Sequence, residues 1–320
     1  MSKIEWTDKT WNPIRARDKE TGKDGWFCVH ASEGCRNCWA EDLNLNRRNL
    51  AFGNGHAYAA QNRDKVDIHI HEKTLLAPLG WRAPRKVFVC SMTDLFLDEH
   101  YDAWIDLMFV IMAWRVDHTF QILTKRPERM QDYFRSRQGG DPWAEAADYL
   151  ADLVGLKDHP YVPEPHDFPL PNVWLGVSVE DQKTADARVP VLLATPAAVR
   201  FVSYEPALGP VNIWPRIAGQ RGCGGTHRHG GASPHDHGAG SSVFPGDPTK
   251  PHHHHDDRCP PGIDQVIFGG ESGPDRRPAQ MDWGRAVRDQ CRAAGAAFFG
   301  KQNDKVASLP DDLDIREWPR

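Results

Sequence analysis

Apolar residues along this chain fall into short continuous runs, and each run gives way at once to polar, charged or glycine residues. Six segments share this grammar: Val87-Phe-Val-Cys-Ser-Met-Thr-Asp94, Phe120-Gln-Ile-Leu-Thr-Lys-Arg-Pro127, Val173-Trp-Leu-Gly-Val-Ser-Val-Glu-Asp181, Val199-Arg-Phe-Val-Ser-Tyr-Glu-Pro206, Val266-Ile-Phe-Gly-Gly-Glu-Ser272 and Ala297-Phe-Phe-Gly-Lys-Gln-Asn303. Such runs read as strands buried on both faces, as the strands of parallel sheets are. Between them lie helical periodicities. Trp104, Leu107, Met108, Ile111 and Met112 recur at spacings of three and four, and Trp283, Val287, Gln290, Cys291 and Ala294 do so more weakly before Gly295, a good helix stop. Strand then helix, repeated, predicts βαβ units with right-handed crossovers. The segment Ile4 to Asn12 supplies a seventh strand. That number favours an α/β fold of the TIM-like (β/α) barrel kind, complete or partial, over an open doubly wound sheet. In barrels the functional groups collect at the carboxyl ends of strands, where these polar clusters sit.

The chain reads as a single barrel domain over residues 1–320 with two insertions. The first, 136–171, is rich in Pro, Asp and His and longer than one crossover needs, although Trp143 to Leu156 fits a helix. The second, 218–262, is rich in His and Gly and poor in apolar residues. It cannot pack a core by itself and is expected to be a disordered, mobile surface loop. Its Cys223, His227, His229, His235, His237 and Cys259 have no fixed ligand spacing, which suits loose metal binding without a role in chemistry.

Charge narrows the partners little. With 39 basic and 44 acidic residues the net charge is −5, so no global basic field points to nucleic acid, although a local groove could still be basic. No apolar run reaches the roughly 20 residues a bilayer requires. The amino terminus lacks a signal-peptide core, so a cytoplasmic protein without a membrane partner is expected. Seven cysteines, unevenly clustered, fit metal ligation plus core thiols better than a disulfide framework. Cys90, in a strand, and Cys291, on the apolar side of a helix, read as core thiols.

The remaining chemistry centres on Cys28, Cys35 and Cys38, in a polar loop that also holds Glu33, Gly34, Arg36 and Asn37. Three thiolates suit an iron-sulfur cluster held at three corners, with one iron left open for a ligand. The alternative is a zinc knuckle completed by His30 or a distant residue, since a closed structural zinc site takes four ligands. That would make the protein a non-catalytic zinc-binding module recognising nucleic acid or a partner protein. Trp39 to Arg48 is expected to be the helix that follows the loop. At the strand ends, Glu180, Glu205 and Glu271 could converge on one mouth, although Glu180 and Asp181 also fit a helix N-cap. Lys125 and Arg126 would bring positive charge there, suiting a carboxylate or phosphate. Ser91 and Asp94 could bind polar atoms, Lys301 is a weaker candidate, and the glycines at Gly269 and Gly270 would let a ligand approach the backbone.

Thr10-Trp-Asn-Pro13, Gly34-Cys-Arg-Asn-Cys-Trp-Ala-Glu41, Ser91-Met-Thr-Asp-Leu-Phe96, Leu123-Thr-Lys-Arg-Pro-Glu-Arg-Met130, Trp174-Leu-Gly-Val-Ser-Val-Glu180, Ser203-Tyr-Glu-Pro206 and Gly269-Gly-Glu-Ser-Gly-Pro274 together resemble the phage-associated three-cysteine proteins related to radical S-adenosylmethionine enzymes. The resemblance implies a radical-SAM-type barrel with a 4Fe-4S cluster on the three cysteines. In that chemistry the open iron binds the methionine amine and carboxylate, and one-electron reduction yields a 5'-deoxyadenosyl radical that abstracts hydrogen. Ser91, Asp94, Ser178, Glu180, Gly269 and Gly270 would then hold S-adenosylmethionine, and Lys125, Glu205 and Glu271 would serve catalysis. The substrate is unknown, with the phage setting suggesting a nucleotide or nucleic-acid base. An external electron donor and a partner encoded nearby complete the expectation. Two features depart from most of that superfamily: six residues rather than three separate the first two cysteines, and Gly-Gly-Glu comes late in the chain.

Overall fold

Seven parallel strands add side by side in chain order to one sheet. The computed structural model describes residues 4–45, 52–139, 141–157, 160–214, 262–271, 275–304 and 307–319. The sheet runs β1 (Lys9–Trp11), β5 (Lys86–Val89), β6 (Thr119–Thr124), β7 (Val173–Ser178), β8 (Val199–Tyr204), β9 (Gln265–Gly269) and β10 (Ala297–Gln302). Every neighbouring pair is parallel. An order that never reverses has no topological switch point, so each strand turns the sheet further the same way and curls it into a partial barrel. It stays open between β1 and β10, which do not pair among the described residues.

Side-chain alternation along each strand then sorts the core into two sides. Val87, Val89, Phe120, Ile122, Val173, Leu175, Val177, Val202, Tyr204, Val266 and Phe268 pack outward in one core with the helices. These helices include α2 (Glu72–Leu75), α3 (Asp102–Trp114), α4 (Pro127–Ser136), α5 (Ala144–Val154), α6 (Gln182–Leu193) and α7 (Met281–Ala294). Phe88, Leu123, Trp174, Phe201, Ile267 and Phe299 face inward. Trp6 and Trp318, from the two ends of the chain, pack among them, and Arg316 pairs with Glu5 at 2.9 Å. The barrel is thus floored by apolar side chains, and the carboxyl ends of its strands open above that floor.

All seven expected strands form, and the polar clusters of the six segments lie at or just past their carboxyl ends. One feature went unanticipated. β2 (Ile14–Asp18), β3 (Asp24–Gly25) and β4 (Val66–Ile70) make a second, antiparallel sheet, although the alternation of Ile14-Arg-Ala-Arg-Asp18 and Val66-Asp-Ile-His-Ile70 was a period-two signal. Its Ala16 and Val66 pack on Phe27 and Leu97 with Cys28 and Val29 alongside, and so brace the cysteine loop. The helix after that loop, α1, spans Trp39–Asn44, shorter than expected, with 46–51 outside the described residues. The first insertion holds α5, and Gly155 closes it in the left-handed region at φ 72. Of the second insertion, 218–261 lies outside the described residues. No helix among the described residues is long and apolar enough to cross a membrane.

Candidate functional site

One cleft opens at the carboxyl ends of the strands. Cys28, Cys35 and Cys38 line it together with Ser91, Asp94, Lys125, Arg126, Ser178, Ser203, Glu205, Gly270, Glu271 and Lys301, over a floor that includes Trp6, Phe88 and Leu123. Residues 243 positions apart in the chain, from Cys28 to Glu271, thus share one wall. Glu180 and Gly269 stand immediately behind that surface.

The cysteine loop does not hang over the cleft; four strand ends hold it. After β5, Thr93 Oγ1 donates to the Phe27 carbonyl at 2.6 Å. After β6, Arg126 donates to the Val29 carbonyl at 2.6 Å and pairs with Asp94 at 3.2 Å. After β7, Glu180 accepts from Ser32 Oγ at 2.8 Å while Arg188 of α6 donates to both its oxygens at 3.0 and 3.2 Å. After β9, Glu271 accepts from Asn37 at 2.9 Å and pairs with Arg277, which also donates to the Glu33 carbonyl at 2.8 Å. Charge-assisted bonds of this kind in a half-dry setting are the strong ones, so the loop's shape is over-determined. Burial opposes ionisation of Glu271, yet hydrogen bonds from Arg277 and Asn37 hold its carboxyl below the usual range.

Two of the expected ligand-binding carboxylates are therefore anchors for the cysteine loop. Glu180 is 1 % exposed and has its acceptors committed to Ser32 and Arg188. Asp94 is similarly occupied, accepting from Thr124 Oγ1 at 2.7 Å, the Lys125 amide at 2.9 Å and Arg126. The glycine pair serves close packing: a Cβ on Gly269 would stand 2.5 Å from Glu205 Oε1, and one on Gly270 would stand 2.1 Å from the Asn303 carbonyl oxygen. What faces the cleft with capacity to spare is Ser91, Lys125, Ser178 and the pair Glu205–Lys301, whose Oε1 and Nζ are 2.8 Å apart.

All three loop cysteines are free thiols. Burial, and then the nearby Asp94 carboxylate, push the Cys28 thiol up to about 12, against the pull of Arg126. Burial raises Cys38 as well. Among the described residues no group of three or more His, Cys, Asp or Glu side chains is gathered in the manner of a single-ion site. His30, the sequence's candidate for a fourth ligand, gives Nε2 to Glu41 at 2.9 Å. Cys90 follows β5 with φ 54, the one positive φ among the described non-glycine residues. That costly backbone, which no sequence pattern announces, turns Ser91 and Met92 to the cleft. Sequence reasoning also missed Arg188, Arg277, Asn37 and Ser32, whose partners are set by the fold.

A partial (β/α) barrel with a cysteine-bearing cleft at its carboxyl-end mouth is the class these features define. The chain belongs to a family described as proteins of unknown function, DUF5131, whose model matches residues 1–309. No curated protein and no solved structure matches it.

Proposed function

We propose that this protein is an enzyme of the radical S-adenosylmethionine kind, with Cys28, Cys35 and Cys38 holding a 4Fe-4S cluster at three corners. The observation that carries the reading is a loop bearing three free thiols, locked by four strand ends onto the mouth of a partial barrel. Cluster corners each take one thiolate on a different iron, so the ligand sulfurs need not converge on a point as around one zinc ion. The pairing of His30 with Glu41 favours the three-ligand reading over the zinc module. When bound, the cluster would supply the electron that cleaves S-adenosylmethionine to a 5'-deoxyadenosyl radical.

The chain's own groups would do the rest. Glu205 and Lys301 form an acid-base pair that can part to meet the α-amino and carboxylate groups of a zwitterion, Glu205 taking the amine and Lys301 the carboxylate. The amino-acid end of such a ligand brings no net charge, the sulfonium lying outside it, and so leaves the pair's balance intact. Ser203 Oγ, which donates to Glu205 Oε2 at 3.1 Å, keeps that carboxylate aimed during the exchange. The apolar floor of Trp6, Phe88 and Leu123 keeps water from below the reacting groups. Glu33 and Arg36 on the loop are exposed and outside the cleft lining, which suits docking of an external electron donor.

Anaerobic reconstitution tests the reading. The wild type is expected to take up iron and sulfide in equal amounts with a visible absorption band, and to yield 5'-deoxyadenosine from S-adenosylmethionine under reductant. Each Cys→Ala variant should lose both. A colourless protein retaining stoichiometric zinc would overturn it in favour of the binding module.

A further inference from the structure

Lys125 is the cleft's surplus charge. Each carboxylate at the mouth has a cation of its own: Asp94 has Arg126 at 3.2 Å, Glu205 has Lys301 at 2.8 Å, Glu271 has Arg277, and Glu180 behind them has Arg188 at 3.0 Å. The nearest carboxylate oxygen to Lys125 Nζ is Glu180 Oε1 at 3.7 Å, beyond hydrogen-bond reach, and that oxygen already accepts from Ser32 and Arg188. Among the described residues the ammonium of Lys125 donates no hydrogen bond.

A second group points the same way. The pairing of β6 with β7 ends at Thr124 beside Val177, and the next residue of each chain segment, Lys125 and Ser178, lines the cleft. Ser178 is 3 % exposed, lines the cleft, and its hydroxyl makes no hydrogen bond among the described residues. A hydroxyl that borders the cleft with its hydrogen-bonding capacity unspent is available to a ligand. An ammonium and a hydroxyl on adjacent strand ends, above a floor with Trp6 and Phe88 and below a rim with Trp39, match an oxyanion carried on a flat aromatic group.

We infer that Lys125 and Ser178 form a subsite for the phosphate of a nucleoside monophosphate substrate, distinct from the zwitterion subsite at Glu205–Lys301. This deepens the proposed function and rests on it for the identity of the other ligand. A cation in excess of the carboxylates around it selects a net anion, whereas a matched acid and base select a zwitterion.

Equilibrium binding to the full chain tests it, measured before and after iron loading and without reductant, so that failure of cluster assembly and failure of phosphate recognition read out separately. The wild type should bind at least one nucleoside 5'-monophosphate about tenfold or more tighter than the matching nucleoside, the margin of a charge-assisted hydrogen bond. Lys125→Met should erase that margin, Lys125→Arg should keep most of it, and S-adenosylmethionine affinity should not move. Ser178→Ala, which removes only a hydroxyl, should shrink the margin about threefold and serves if Lys125→Met does not fold. Equal binding of nucleotide and nucleoside by the wild type would overturn the inference, as would a Lys125→Met variant that weakens S-adenosylmethionine alone or changes neither ligand.

Discussion

Gly34 lies so close against Glu180 that a Cβ added to it would stand 2.4 Å from Glu180 Oε1 and 2.6 Å from Cγ. The carboxylate cannot step aside, because Arg188 and Ser32 hold it. The residue before Cys35 is therefore glycine for a steric reason, and the cysteine loop is seated directly on the end of β7.

Gly34→Ala should consequently displace the loop while sparing the barrel, whose core it does not touch. Iron uptake on anaerobic reconstitution is expected to fall at least about fivefold, with stability to urea changed by less than about 2 kcal/mol. Undiminished iron loading by this variant would mean that the seat does not govern the cysteines.

Glu180→Ala is expected to be the more damaging change. It strands Arg188, whose side chain is 8 % exposed, beside a dry void, and breaking a buried pair from one side costs about 3 to 5 kcal/mol. Glu180→Ala combined with Arg188→Met should recover part of that loss, because the buried guanidinium is then no longer left without its carboxylate. Urea denaturation of the wild type and the two variants decides the matter, and a single-variant cost below about 1 kcal/mol would contradict the anchoring role.

Acid should loosen the same end of the barrel through His100. Burial pushes its imidazole down from 6.5 to about 4, and Nδ1 donates to the Leu95 carbonyl at 3.1 Å. The unfolded chain takes up a proton near pH 6.5 that the folded chain refuses until about pH 4. Stability should thus be full above that window and fall as pH drops through it, by about 3 kcal/mol at the bottom. Denaturation series across this range should show the slope in the wild type and a flatter curve in His100→Gln. Parallel curves for the two proteins would remove His100 from the account.

Much of the architecture was legible in the chain because it is local. A run such as Val173-Trp-Leu-Gly-Val-Ser carries its own strand signal, and Gly295 after Ala294 its own helix stop, confirmed at φ 70. The ribbon of β2, β3 and β4 was less so, since its burial comes in part from Leu97, remote in sequence.

The sequence by itself determined seven apolar strands, their polar ends and three cysteines in one loop, since backbone preference and hydrophobic period act between near neighbours. Tertiary structure alone decided which polar groups anchor and which remain available. Glu180 became an anchor because α6 brings Arg188 beneath it, and Lys125 met only that already committed carboxylate, at 3.7 Å, while Arg126, one residue on, turned to Asp94. A pairing needs two side chains within about 4 Å, and that distance is set by how strands and helices pack rather than by spacing along the chain.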